Sequence, residues 1–154
     1  MSKLCLMLMR LALSAWLGIA TFFVIVVLRL RNSGLFEPEA MLNHPKVLFP
    51  LFYAFEFSLL GLALGCGLGA RRHPAARNGR FSLCLTLLAA ALLIGTVDYL
   101  AIYGPLAAMI EGPPLPPEFA AYHQWSRWLN SASLLLCAAA AILAVWPEEG
   151  RENR

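Results

Sequence analysis

Four apolar runs, each longer than twenty residues, set the terms on which this chain folds. They extend from Leu4 to about Leu28, from Val47 to about Leu68, from Phe81 to about Tyr103, and from Tyr122 to Trp146. At about 1.5 Å of rise per residue, each reaches across a hydrocarbon core of about 30 Å. None alternates apolar with polar residues as a barrel strand does, and in lipid a single spanning segment satisfies its own backbone only as a helix. The expectation is an all-α polytopic membrane protein, a four-transmembrane-helix bundle forming one domain over residues 1–154.

The rest of the chain supports this reading. Of its residues 60% are hydrophobic and 14% charged, against roughly 45–50% and about 25% in a soluble domain. Lys3 precedes the first run, but that run is too long for the apolar region of a secretory signal. Arg29 and Arg31 close it without a small-residue cleavage site, so it is read as a retained span. The net charge of +3 comes largely from one arginine cluster, which suits topology and lipid headgroups and gives no reason to expect nucleic acid. The four cysteines, Cys5, Cys66, Cys84 and Cys137, form no CxxC pair. They read as small hydrophobes.

The connections differ in character. The first, Asn32 to Lys46, holds Gly34, Pro38 and Pro45 and has room for a short surface helix. The second carries Arg71, Arg72, Arg77 and Arg80, with His73 as a solvated loop residue. The third, Gly104 to Ala121, contains Pro105, Pro113, Pro114, Pro116 and Pro117 and is read as a stiff extended loop. The tail after Pro147 is short and mixed in charge. Arginine-rich short loops stay in the cytoplasm, which places the second loop and both termini there, in an inner or plasma membrane. Lys3, Arg151 and Arg154 agree with that orientation, whereas Arg29, Arg31 and Lys46 oppose it.

Charged side chains inside a span are costly and default to a functional hypothesis with a named partner. Arg10 stands alone near one surface, where it can snorkel. Glu56 lies nine residues into the second run and Asp98 five from the end of the third, while His123, Arg127 and Asn130 open the fourth. All five therefore fall in the outer half of the bilayer. On the fourth run His123, Ser126, Arg127, Asn130, Ser133 and Cys137 follow helical spacing and cover an arc of about 120°. The expected outcome is a buried network in which Arg127 pairs with Asp98, Glu56 or both. Such a network is either structural, fixing helix register, or a site for an ion, proton or small ligand. Haem or a metal is a weaker option, with His123 and His44 as the candidate ligands.

The second run carries a different signal. Ser58, Gly61, Gly65 and Gly69 form a small-xxx-small ridge that permits close backbone approach, on the side away from Glu56. The ridge is expected to pack another helix, within the chain or in a second copy.

Several segments carry a family resemblance. FAAYHQWSRWLN, from Phe119 to Asn130, resembles an F-x-x-x-H-x-x-S-x-x-x-N pattern that opens the last helix in the transmembrane protein 205-like family, a domain of unknown function. VLFPLFYAF, from Val47 to Phe55, looks like that family's entry into helix two, and Trp16, Gly18, Phe22 and Phe23 are similar to its first helix. The resemblance spans the chain and implies four membrane helices with no assigned activity. His123, Ser126 and Asn130 are the matching positions. Gln124 departs from the glycine usual after the histidine, and Arg127 is not carried over.

No nucleophile–base pair or HExxH motif is present, so an enzyme is not expected. The favoured function is a non-enzymatic accessory or scaffold module in the bilayer, working as a homo-oligomer or within a larger membrane complex. The alternatives are a small-ligand, ion or metal binding or transport protein using the outer polar cluster, and a haem-binding redox membrane protein.

Overall fold

The computed structural model describes residues 2–72, 78–112 and 114–146, with side chains described outside 38–42. His73, Arg77, Pro113 and the tail from Pro147, with Arg151 and Arg154, lie outside the described residues. The described elements are helical: α1 (Ser2–Asn32), α2 (Pro38–Ala70), α3 (Gly79–Val97), a π-helical turn (Asp98–Tyr103), α4 (Gly104–Glu111) and α5 (Phe119–Val145). α3, the π turn and α4 run on as one span, so four helices are long and apolar enough to cross a membrane: Ser2–Asn32, Asn43–Ala70, Gly79–Glu111 and Phe119–Val145. This is an integral membrane protein built as a four-helix bundle.

All four spans outrun the apolar segments that announced them, and the physical reasons differ. Pro45 and Pro50 sit inside α2, where neighbouring helices and local adjustment absorb the backbone bonds that proline cannot make. The first connection shrinks to 33–37, turned at Gly34, whose φ of 64° is one that favours glycine. The proline-rich segment was expected to stay extended from Gly104. It continues instead as helix through Pro105 to Glu111. Pro105 has no N–H for the carbonyl four residues back, and its ring crowds that carbonyl. The wider π turn just before it, in which the Gly104 N–H bonds to the Tyr99 carbonyl, accommodates both demands. At the other end of this span, Asn78 caps α3 by accepting the Phe81 N–H at 2.7 Å.

α1 packs mainly on α2, and α3 on α5. The core between them contains Met9, Leu13, Trp16, Tyr53, Leu60, Cys84, Leu88 and Cys137, all at most 2% exposed. Small residues admit close packing at two points. A side chain at Gly67 would collide with Leu85, and one at Gly95 with the Glu56 carboxyl. Outward-facing Leu, Ile, Val and Phe cover much of the bundle's surface, as lipid requires. Exposed Trp125 and Trp128, near the start of α5, fit an interfacial aromatic position.

Candidate functional site

The polar side chains of α5 that share one face, at i, i+4, i+7 and i+11, are Ser126, Asn130, Ser133 and Cys137. Ser126, Ser133 and Cys137 are buried and Asn130 is half-buried. They face two carboxyl groups, one from α2 and one from the π turn, and the result is two polar layers one helical turn apart.

The first layer centres on Asp98, which is 0% exposed. Its Oδ2 accepts hydrogen bonds from the Tyr53 hydroxyl at 2.5 Å, the Asn130 amide at 2.5 Å and the Ser126 hydroxyl at 3.2 Å. The Asn130 amide also donates to the Ser126 carbonyl at 2.9 Å, which fixes its orientation along the helix. Tyr53 is held by rings on several sides. Tyr99 and Tyr103 lie 5.0 and 5.1 Å away, centroid to centroid, and Phe52 lies 5.6 Å away.

The second layer centres on Glu56, which is 1% exposed. Ser133 Oγ lies 3.1 Å from Glu56 Oε1 and 3.3 Å from the Ala91 carbonyl. The carboxyl rests directly on the Gly95 backbone: a Cβ built there would stand 2.7 Å from Oε1. Beyond it, Cys137 lies within interaction range of Glu56, Ser133 and Trp16. Each carboxyl retains one buried oxygen with no hydrogen-bond partner among the described residues, Oδ1 of Asp98 and Oε2 of Glu56, and the Trp16 indole N–H is likewise buried without one. Native interiors leave few such atoms unsatisfied, and each asks for an explanation.

Depth is also revised. Glu56 stands thirteen residues from Asn43 and fourteen from Ala70, Gly95 sixteen from both Gly79 and Glu111, and Ser133 fourteen from Phe119 and twelve from Val145. This layer therefore occupies the middle of three spans, not the outer half of the bilayer. The run-based count put Asp98 five residues from a helix end. The helix in fact continues thirteen residues past it, to Glu111.

The expected pairing of Arg127 with these acids is not found. Arg127 is exposed, one position past buried Ser126 and so rotated about 100° from the polar face. Among the described residues it makes no ion pair with Asp98 or Glu56. It lies instead close enough to His123, with Arg31, for their charges to be felt there. A long side chain near a helix end reaches the headgroup level, and that removes any need for a buried anion. His123 is half-buried and stacks on Phe119 of its own helix, at 6.0 Å and 7°. His44 packs edge-on against Phe36 at 5.0 Å, with its Nδ1 buried and without a hydrogen-bond partner among the described residues. Among the described residues no three His, Cys, Asp or Glu side chains come together in a metal-binding group.

The ridge on α2 also departs from expectation as an intramolecular contact. Ser58, Gly65 and Gly69 are exposed and Gly61 is half-buried. Among the described residues nothing lies within 4 Å of a side chain added at Gly61 or Gly65, and of the three ridge glycines only Gly69 has a neighbour, Cys5 Sγ at 3.4 Å.

Comparison with protein-family models, with curated proteins and with solved structures returns no match. The site stands on its own geometry.

Sequence reasoning found Glu56, Asp98, Ser126 and Asn130, and placed Ser133 and Cys137 on the correct stripe. It missed Tyr53 and Gly95. Tyr53 is three residues before Glu56 and so shares its face, a signal present in the sequence. Gly95 bears the same three-residue relation to Asp98.

Proposed function

We propose that this chain is a non-enzymatic membrane module that binds an ion, either a proton or a monovalent cation, at the Glu56–Asp98 pair. One observation carries the reading: both carboxyls are buried in the bundle, and among the described residues no Arg, Lys or His pairs with either. Two buried carboxylates with no countercharge between them are costly enough that the pair takes up a proton or a cation. A purely structural polar network argues for full satisfaction of its atoms, whereas Oδ1 and Oε2 are left open here. The midspan position of the Glu56 layer favours a site over a surface ion pair, because ionisable groups at that depth mark ion and proton binding in membrane proteins.

A second role, as an accessory subunit or homo-oligomer, has support of its own in the exposed ridge of Ser58, Gly61 and Gly65. The two roles are compatible. For orientation we favour cytoplasmic termini in an inner or plasma membrane, on the strength of Arg71, Arg72 and Arg80 near one turn of the bundle.

The test is thermal unfolding in mild detergent, followed by tryptophan fluorescence across a pH series and with choline, sodium, potassium or lithium chloride at constant ionic strength. A bound ion stabilises the folded state by mass action, about 2.7 kcal/mol at a hundredfold excess over its Kd. Stability that depends on pH or on cation identity, and loses that dependence in Glu56→Gln or Asp98→Asn, is the expected result. Identical dependence in the parent and in both variants contradicts the proposal.

A further inference from the structure

Resting on that reading, we infer that the bound ion is a proton carried on Glu56, while Asp98 remains a fixed anion beside it. The hydrogen-bond inventories of the two carboxyls differ in kind. Asp98 Oδ2 gathers three donors, a phenol, an amide and a hydroxyl, two of them at 2.5 Å. Several donors converging on one oxygen favour the charged form of the acceptor. A proton on Oδ2 would oblige the Tyr53 or the Ser126 hydroxyl to turn from donor to acceptor, and it would still face the Asn130 amide, which can only donate.

Glu56 has no such support. Its one hydrogen-bond partner among the described residues is the Ser133 hydroxyl, which owns a single hydrogen but lies within bonding distance of two acceptors, Glu56 Oε1 and the Ala91 carbonyl. If Glu56 were ionised, Ser133 would have to turn to it, leaving a buried charge with one neutral donor. With a proton on Oε1 the chain closes. Glu56 donates to Ser133 Oγ, Ser133 donates to the Ala91 carbonyl, and Oε2 becomes the oxygen of a neutral carbonyl. The orphaned Oε2 then belongs to a neutral group and costs less, and of the two orphaned oxygens only Asp98 Oδ1 belongs to a charge, one that three donors already meet at Oδ2.

The titratable groups that meet Glu56 reinforce this arrangement. Asp98, from the third span, presents negative charge to it, and Cys137, from the fourth, contributes a thiol. Tyr53, on its own helix, is committed to Asp98. Among the described residues no charged group of α1 is found against it. Two acids one turn apart in a dry interior do not both ionise readily, and the environment decides which one holds the proton. In the exchange, solvent supplies the proton, an O–H bond forms at Oε1, and release of the proton restores the carboxylate.

Infrared spectroscopy of the full-length protein in lipid reads this directly, through the carbonyl stretch of a protonated carboxylic acid that shifts on transfer to deuterated water. A band of this kind at neutral pH, lost in Glu56→Gln and retained in Asp98→Asn, is the expected result. Because Asp98→Asn alters a charged core position and its fold is at risk, two milder variants give an independent readout. Ser133→Ala shifts the band by removing the acceptor of the Glu56 proton, and Tyr53→Phe leaves it in place. Loss of the band in Asp98→Asn but not in Glu56→Gln reverses the assignment and overturns the inference. Absence of the band in a protein whose melting temperature responds to sodium or potassium overturns the proton and leaves ion binding standing. Absence of the band together with indifference to every ion overturns both.

Discussion

Gly95→Ala adds one methyl group at the point where the third span touches the Glu56 carboxyl. In an open helix this exchange stabilises by roughly 0.5–1 kcal/mol, because alanine loses less backbone freedom on folding. Here the new Cβ meets Oε1 at 2.7 Å, Cδ at 2.9 Å and Oε2 at 3.1 Å, so the carboxyl must move. It has no solvent to move into, and leaving its place breaks the contact with Ser133. Overpacking costs about 1–3 kcal/mol, and a buried hydrogen bond left unmade about the same again. After the propensity gain is subtracted, a net loss of about 1–5 kcal/mol remains. The contrast lies in the Glu56→Ala background, where the added methyl has room and Gly95→Ala should be neutral or stabilising by up to about 1 kcal/mol. The coupling between the two positions is then about 2–6 kcal/mol, well above the few tenths seen for independent sites. Reversible unfolding of the four proteins in mixed micelles, as detergent composition is varied, gives the cycle. A Gly95→Ala protein as stable as its parent, or additive losses in the double variant, would refute the packing of Glu56 on Gly95.

Tyr53→Phe should cost about 1–3 kcal/mol, since it removes a donor from a buried carboxylate, whereas Arg127→Leu should change stability by less than about 0.5 kcal/mol, as expected of an exposed side chain. The same unfolding assay checks both, and the reverse ranking would restore Arg127 as the partner of the acids. Gly65→Leu should leave monomer stability nearly unchanged, because the position opens on empty space, and should reduce crosslinked dimer or partner complex in native membranes. An unchanged crosslinking pattern removes the ridge from any interface. For orientation, cysteines introduced at Arg72 and Gly112 are probed from outside intact cells with an impermeant maleimide. Reaction at Gly112 alone is expected, and reaction at Arg72 alone inverts the topology.

How much of this was legible beforehand depended on which forces were at work. Run length and apolarity fixed the number of spans, because the bilayer imposes one structural answer on such segments. Helix ends were less legible. Pro45, Pro50 and Pro105 look like breakers by the rules of soluble helices, yet all three stand within membrane spans, where the cost of unpaired backbone sustains the helix and a π turn absorbs Pro105. Glu56 and Asp98 were recognisable as anomalies because charge within an apolar run is rare. Their partner was misassigned because an arc of about 120° on α5 was wide enough to take in Arg127, which stands at its edge and faces outward. Arg127 complements the acids in charge, but Ser126, next to it in sequence, and Asn130, three residues on, own the inward face. The contacts of Tyr53 and Gly95 come from the register between α2 and α3, which a single sequence does not encode locally.

The central claim is that the bundle holds a proton-bearing carboxyl at its middle, on Glu56. Dicyclohexylcarbodiimide enters membranes and attacks carboxylic acids only in their protonated form, which makes residue-resolved mass spectrometry of the labelled protein the most direct measurement. At neutral pH in native membranes the label should appear on Glu56 and be absent from Asp98, and it should fade as the pH rises and the proton is lost. Label on Asp98 with Glu56 untouched, or no label on either at any pH from mildly acidic to neutral, would contradict the account.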